Sequence, residues 1–209
     1  MKAFIFDFDG VIADSVYAHF AAERDILKRF GIHFSLDQYK NEYTGMPVRQ
    51  IFDKILKIHN KTANLDEIVR EKILAVESNA NEVKPIDGIQ EILRFLKEKG
   101  YHIGLASGAN RSFVNIVLKN LNLENYFEAV LTLEDSSKGK PDPDIFLKAA
   151  TVLGFPPSEC VVVEDGVLGM QAAKNAKMKC IGLVSDNNEY PCDFTIHRLL
   201  EIKHRINEL

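Results

Sequence analysis

The 209-residue sequence contains few cysteines, and their number and spacing exclude the common cysteine-based sites. Cys160, Cys180 and Cys192 are far apart and odd in number. This arrangement matches neither a disulfide framework nor a zinc-binding motif. We therefore expect buried or neutral thiols in a protein of the reducing cytoplasm.

The sequence also lacks the features of membrane proteins and of general nucleic-acid binders. No apolar run approaches the roughly 20 residues of a membrane-spanning helix. The first apolar run is interrupted at Asp7, unlike a signal peptide. The formal net charge is −4, whereas nucleic-acid binders normally present a basic face. We expect neither a membrane nor a nucleic-acid partner, and a monomer or weak homo-oligomer.

From residue 86 onward, strand and helix patterns alternate regularly. This alternation predicts βαβ units that form a Rossmann-like, doubly wound parallel sheet with helices on both faces. The predicted strands cover residues 2–6, 101–107, 128–132, 160–165 and 179–184. The predicted helices of this part cover residues 88–100, 111–120, 143–153, 167–176 and 196–207.

Residues 14–82 interrupt this pattern after the first strand. Within them, "VRQIFDKILKI" places Val48, Ile51, Ile55 and Ile58 on one helical face, and "LDEIVREKILAVE" has a similar stripe. The pattern predicts a small helical cap domain at 14–82, inserted into an α/β core formed by 1–13 and 83–209.

Polar residues follow four of the predicted strands. In such sheets, ligands bind beyond the carboxyl ends of the strands, so we expect these residues to converge at one edge. They comprise Asp7, Asp9 and Gly10 after the first strand, Ser107, Gly108 and Asn110 after the second, Lys140 in the loop after the third, and Glu164 and Asp165 at the fourth.

This set of side chains favours phosphate chemistry assisted by a metal ion. Crowded carboxylates raise one another's pKa unless a cation neutralises them. Oxygen ligands in small number favour Mg²⁺ over Ca²⁺, and Mg²⁺ leaves coordination positions for phosphate oxygens. One carboxylate can then attack phosphorus to form an aspartyl phosphate, while the other transfers protons. Gly10 would permit the sharp turn that brings backbone N–H groups close to the phosphate.

Each of these residues has an ordinary explanation when it is considered alone. Asp7 to Gly10 could be a simple turn, and Ser107 could cap the next helix. Lys140 could be a solvated loop lysine, and Glu164 with Asp165 could cap the helix that follows. Their joint placement at strand ends is what favours a site.

Four motifs in order, "DFDGV", "LASGAN", "KGKPDPDIF" and "VVVEDGVLGMQAAKNAKM", resemble those of the haloacid dehalogenase superfamily of phosphotransferases. The resemblance covers essentially the whole chain and is to the subgroup with a helical cap after the first strand. It implies that Asp7 is the nucleophile, Asp9 the general acid and base, and Lys140 the balancing cation.

The same resemblance implies the binding residues. Phosphate would be bound by Ser107 within the segment that also contains Gly108 and Asn110. The metal would be bound by Asp7, Asp165 and the backbone carbonyl of Asp9, with Glu164 a ligand or a neighbour of the ligands. The segment "GMPVRQIF" resembles the substrate-contacting part of the cap, with Arg49 as its contact.

The favoured function is a Mg²⁺-dependent phosphatase that acts on a small phosphorylated metabolite. A β-phosphoglucomutase-like phosphosugar mutase is the first alternative, although Gly45-Met46-Pro47-Val48-Arg49 stands where that enzyme carries Gly-Val-Ser-Arg. A non-catalytic phospho-acceptor similar to a receiver module is the second, but receivers lack the helical insertion. His19 and Lys72 are interpreted as helix surface, with a cleft-facing role left open.

Overall fold

A computed structural model describes residues 1–43 and 46–208, which form two compact units. The first unit comprises Met1–Asp14 and the chain from Lys84 onward, and the second comprises Ser15–Val83. Gly45, which begins the predicted substrate-contacting cap segment, lies outside the described residues. No helix among the described residues combines the length and apolar character needed to cross a membrane.

A six-stranded parallel sheet forms the centre of the first unit, which confirms the predicted α/β core. Its strand order is β5-β4-β1-β6-β7-β8, and β2 pairs with β3 as a separate antiparallel ladder. The strands are β1 (Ala3–Phe6), β2 (Ala13–Asp14), β3 (Lys84–Pro85), β4 (His102–Ala106), β5 (Ala129–Leu131), β6 (Cys160–Glu164), β7 (Lys179–Leu183) and β8 (Phe194–Ile196).

The central position of β1 follows from its composition. All four of its residues are buried, as is typical of a parallel strand covered on both faces. In register, Ala3 pairs with His102 of β4 on one side and with Cys160 of β6 on the other. The residues that follow β1, β4 and β6 therefore emerge side by side at one edge of the sheet.

The second unit is helical, as predicted for the insertion. Its helices are α1 (Val16–Lys28), α2 (Leu36–Glu42), α3 (Val48–Ile58) and α4 (Leu65–Ser78). The apolar face of α3 differs from the predicted one, because Ile58 is exposed while Phe52 and Leu56 join Ile51 and Ile55 in the core. The buried face is wider than the single stripe that the sequence pattern indicated.

A buried polar cluster links α1 and α4, and it corrects the expected surface position of Lys72. Lys72 is only 8% exposed, because it lies between Ile68 and Val76 on the buried face of α4. Its Nζ lies 2.7 Å from Nδ1 of His19 and 3.9 Å from a carboxylate oxygen of Glu23. Since an ammonium group can only donate, Nδ1 of His19 accepts this hydrogen bond.

Among the described residues of the first unit, five α-helices accompany the sheet. They are α5 (Ile89–Glu98), α6 (Arg111–Asn120), α7 (Asp144–Leu153), α8 (Val167–Asn175) and α9 (Ile202–Arg205). On α5 the buried residues Ile89, Ile92, Leu93 and Leu96 form the three-and-four spacing of an amphipathic helix.

The helix predicted at 196–207 begins three residues later than expected. Phe194–Ile196 form β8, and the chain from Leu199 to Glu208 is helical, with 3₁₀ turns on both sides of the four-residue α9. The backbone N–H of Val184 donates to the carbonyl of Ile196 at 2.9 Å. Pairing with β7, which a three-residue pattern cannot reveal, therefore decides the structure of this segment.

Candidate active site

Asp7 lies at the centre of the site because it follows β1 directly. Its backbone N–H donates to the carbonyl of Val163 at 2.9 Å, which continues the hydrogen-bond ladder with β6. Its side chain is almost fully buried, and one carboxylate oxygen accepts a hydrogen bond from Nζ of Lys140. The strand thus presents Asp7 in a fixed position, with a cation at its side.

Lys140 bridges two carboxylates. Besides Asp7, its Nζ donates to Glu164 Oε1 at 2.7 Å and to the carbonyl of Ala106 at 3.5 Å. Burial lowers the pKa of Lys140, but the two carboxylates outweigh burial and raise the pKa above its ordinary value. Lys140 is therefore a permanent positive charge.

The loop that carries Lys140 is anchored by a residue that sequence reasoning missed. The carboxylate of Asp144 accepts hydrogen bonds from the backbone N–H of Ser137 and from Lys148, each at 3.0 Å. Asn175 of α8 donates to the carbonyl of Pro141 at 2.9 Å. Asp144 lies inside the motif "KGKPDPDIF", so the motif contained its position but not its function.

Three carboxylates form an acidic cluster at the ends of β1 and β6. Oxygen atoms of Asp7, Glu164 and Asp165 lie within 4.8 Å of one another. Burial, together with Glu164 and Asp9, raises the pKa of Asp165 to about 7, and burial raises the pKa of Asp7 well above its ordinary value despite Lys140. One lysine therefore does not balance the negative charge that the sheet brings together.

Both carboxylate oxygens of Glu164 accept hydrogen bonds. Oε1 accepts from Lys140, and Oε2 accepts from the backbone N–H of Gly166 at 2.7 Å. A Cβ on Gly169 would overlap the Glu164 carboxylate, so glycine at position 169 leaves the space that this side chain occupies. These contacts orient Glu164 toward Lys140 and the loop.

Gly10 provides both a turn and space. Its φ of +79° lies in the left-handed region that favours glycine, and its N–H donates to the carbonyl of Ala13 at 2.8 Å. A Cβ at this position would overlap the carboxylate of Asp165. The turn after Asp9 and the carboxylate at the end of β6 can therefore approach closely only with glycine here.

Ser107 lies at the end of β4, the neighbour of β1. Its N–H donates to the carbonyl of Leu131 at 3.0 Å, and its buried hydroxyl accepts from the N–H of Ala109 at 2.9 Å. Gly108 is exposed, and Asn110 is the N-cap residue of α6. The segment thus forms a tight turn at the start of a helix, beside the strand that carries Asp7.

Arg49 belongs to the second unit. It lies in the first turn of α3, where its guanidinium donates to the carboxylate of Asp66 on α4, and both side chains are exposed. The substrate contact predicted for Arg49 stays a prediction.

The family of haloacid dehalogenase-like hydrolases matches residues 4–183. This chain belongs to that family. The match includes both carboxylate motifs, Ser107 and Lys140.

Similar proteins include both phosphatases and a mutase. The chain is 32% identical over 193 residues to the phosphorylated carbohydrates phosphatase of Thermotoga maritima, covering 90% of this chain and 88% of that protein. It is 33% identical over 191 residues to β-phosphoglucomutase of Bacillus subtilis, covering 88% and 83%. The structure of β-phosphoglucomutase from Clostridium difficile superimposes with a TM-score of 0.85 at 27% identity, covering 100% of this chain and 98% of that one.

Family membership favours an enzyme over the receiver-like alternative, because the matching family is one of hydrolases. The relatives carry different activities on a similar fold. The comparisons therefore do not distinguish a phosphatase from a phosphomutase, and they do not identify the substrate. Both depend on the residues of this chain.

Proposed function

We propose that this protein is a Mg²⁺-dependent phosphatase that hydrolyses small phosphorylated metabolites through an aspartyl phosphate on Asp7. The observation that carries the proposal is the position of Asp7. It is a buried carboxylate at the end of the central strand, contacted by Lys140 and with oxygens of Glu164 and Asp165 within 4.8 Å.

The residues present fit a magnesium ion. The cluster offers only oxygen donors, and burial together with the neighbouring carboxylates raises the pKa values of Asp7 and Asp165. Asp7 and Asp165 would hold the ion, together with the backbone carbonyl of Asp9. Bound there, Mg²⁺ would supply positive charge to the phosphate oxygens. Glu164, whose oxygens already accept hydrogen bonds, would support the site through Lys140.

Asp7 and Asp9 divide the covalent chemistry. An oxygen of Asp7 forms a bond to phosphorus as the bond to the leaving oxygen breaks, and Asp9 gives that oxygen its proton. In the second half-reaction, Asp9 takes a proton from water, whose oxygen attacks phosphorus and releases Asp7. The products are an alcohol and inorganic phosphate.

Lys140 and the turn after β4 stabilise the transferred group. The ammonium of Lys140 neutralises charge on Asp7 and on the phosphoryl oxygens. The hydroxyl of Ser107 and the backbone around Gly108, at the N-terminal end of α6, would donate to the phosphate. Both groups are in place before substrate arrives, which avoids reorganisation during the reaction.

A phosphosugar mutase is the second candidate, since relatives with that activity match most of the chain. Such an enzyme uses the same first half-reaction but transfers the phosphoryl group to a second sugar hydroxyl. A parallel assay for conversion of β-glucose 1-phosphate to glucose 6-phosphate separates the two candidates. Phosphate release without isomerisation supports the phosphatase.

The test of the proposal is to trap the intermediate. In Asp9→Asn, nitrophenolate can still leave p-nitrophenyl phosphate without protonation, but water lacks its base, so the phosphoenzyme should accumulate. Loss of a general base typically costs ~10²–10⁴-fold in rate. Acid quench and intact-mass spectrometry should show one phosphoryl group, which peptide mapping places on Asp7. The Asp7→Asn variant is the matched control and should carry no label. Label on Ser107, or full activity of Asp7→Asn, would refute the proposal.

A further inference from the structure

The strand order extends the edge of the sheet beyond the acidic cluster. On the side of β1 opposite β4, the sheet continues through β6 and β7 to β8. Because all of these strands are parallel, His197 and Arg198, which follow β8, lie at the same edge as Asp7 and Asp165. No residue at this end of the sheet has a role in the proposed function.

A cleft of about 370 Å³ lies along this edge, entirely within the first unit. Gly10 and Asp165 line it on the side of the acidic cluster, and His197 and Arg198 line it at the end of β8. The cleft is therefore continuous with the candidate active site.

Arg198 is a positively charged residue among those that line this cleft. The residue is exposed, and its guanidinium forms no ion pair with an acidic side chain among residues 1–43 and 46–208. Its backbone is held in place, because Glu201 accepts its N–H at 2.9 Å. By contrast, the guanidinium of Arg205 is paired with Glu208. An unpaired guanidinium is suited to bidentate contact with a phosphate or carboxylate.

His197 lines the same end of the cleft as Arg198, and its ring has a fixed position. Its Nδ1 lies 3.0 Å from the carbonyl of Val184, which fixes the ring beside Arg198. The cleft also contains the carboxylate of Asp87. Among the residues that line the cleft, Asp87 and Asp165 would repel an anion and Arg198 would attract it, so an anion bound there would contact Arg198.

The strand spacing sets the size of a ligand that reaches both places. Three spacings separate β1 from β8, which corresponds to about 14 Å between the strand axes. An Arg198 side chain extended toward Asp7 would shorten the distance to a phosphorus atom there. A second anionic group separated from the first by a sugar-sized carbon chain fits this interval.

We propose that Arg198 binds a second anionic group, phosphate or carboxylate, of the substrate whose first phosphate is transferred to Asp7. The proposal rests on the proposed phosphatase function and narrows its substrate class to sugar-sized compounds with two anionic groups. Arg198 is then a specificity-determining residue contributed by the core rather than by the cap.

Matched substrate pairs test this assignment. Fructose 1,6-bisphosphate is compared with fructose 1-phosphate and fructose 6-phosphate, and 6-phosphogluconate is compared with glucose 6-phosphate. For the wild type, kcat/KM for the doubly anionic member of at least one pair should be about 10–100-fold higher, as expected for a charged hydrogen bond. Arg198→Ala should remove this advantage. Arg94→Ala, which removes an exposed arginine on α5 outside the cleft, should retain it.

Calorimetric binding of the same pairs to Asp7→Asn, which lacks the nucleophile, gives a second readout that does not depend on turnover. The second anionic group should tighten binding to Asp7→Asn but not to Asp7→Asn/Arg198→Ala. An advantage in the bisphosphate pair alone identifies a phosphate site, and one in the gluconate pair alone identifies a carboxylate site. Equal values within both pairs, or an advantage that survives Arg198→Ala, would overturn the assignment. Wild-type turnover of p-nitrophenyl phosphate reports separately on the proposed phosphatase.

Discussion

At the scale of single residues, Lys140 determines the charge balance of the candidate active site. It is the ammonium group between Asp7 and Glu164, and both carboxylates raise its pKa above the ordinary value despite burial. A group of this kind is set in place before the reaction and gives its full electrostatic effect in a site with little water.

Replacing Lys140 should therefore affect catalysis strongly. We expect Lys140→Met to lower kcat for p-nitrophenyl phosphate by about 10²–10³-fold, the range for loss of one preorganised charged donor. Lys138→Met is the matched control, since Lys138 lies in the same loop with a largely exposed side chain. Steady-state kinetics of both variants, with circular dichroism to verify folding, make the comparison. Similar losses in both variants would assign the effect to the loop rather than to the ammonium group.

At the scale of elements, the contact between α1 and α4 contains an unusual buried acid. Glu23 on α1 is 1% exposed, and its Oε2 has no hydrogen-bond partner among the described residues. Burial raises its pKa from 4.5 to about 7, although Lys72 on α4 acts in the opposite direction. The stability of the contact between α1 and α4 should therefore depend on the protonation of Glu23.

The linkage predicts how stability changes with pH. Between pH 4.5 and about 7, the folded state holds the Glu23 proton more tightly than the unfolded state does. The free energy of unfolding should therefore fall as pH rises through this range, by roughly 3 kcal/mol from Glu23 alone. Urea denaturation from pH 5 to 8 measures the slope. Glu23→Gln should flatten it, whereas Glu67→Gln, an exposed position on α4, should leave it unchanged. A slope unaffected by Glu23→Gln would contradict the prediction.

The ion pair between α3 and α4 gives a second prediction at this scale. If Arg49 contacts the substrate, Arg49→Ala should lower kcat/KM for the physiological substrate by ~10–100-fold, the effect of a lost charged hydrogen bond. The loss with p-nitrophenyl phosphate, which has no distal polar group, should be much smaller.

Asp66→Ala removes the same surface ion pair but keeps the guanidinium. An exposed pair contributes about 0–1 kcal/mol to stability, so neither variant should unfold. Equal kinetic losses in Arg49→Ala and Asp66→Ala would show that the pair matters to the helices and not to the substrate.

At the scale of the whole molecule, the sheet assembles the candidate site from distant parts of the chain. More than 150 residues separate Asp7 from Asp165 in the sequence. Both of them, and also Ser107 and Lys140, follow or adjoin strands of the same parallel sheet. This convergence also brings together a cluster of carboxylates that one lysine does not neutralise.

The excess negative charge predicts dependence on a divalent cation. Activity on p-nitrophenyl phosphate should be lost after EDTA treatment and restored by Mg²⁺. Ca²⁺ should restore it poorly, because its longer and more variable coordination disturbs the in-line geometry. The measurement is turnover after gel filtration into metal-free buffer, with each ion added back. Full activity without any divalent ion would contradict the metal-assisted mechanism.

The sequence by itself determined the parallel α/β class, the helical insertion and the set of polar residues at the strand ends. These features depend on local periodicity and on short motifs, which a single chain displays directly. Asp7 after an apolar strand and "KGKPDPDIF" with Lys140 are examples, because the residue types and their order carry the information.

Only the tertiary structure decided the features that depend on contacts between distant segments. Lys72 is buried because it faces α1. A lysine in the sequence pattern of α4 does not by itself predict this burial. Residues 194–196 form a strand because β7 offers them a partner. Glycine is needed at position 169 because the Glu164 carboxylate occupies the adjacent space. In each case the free energy comes from packing or hydrogen bonding across the fold, which outweighs the local preference of the segment.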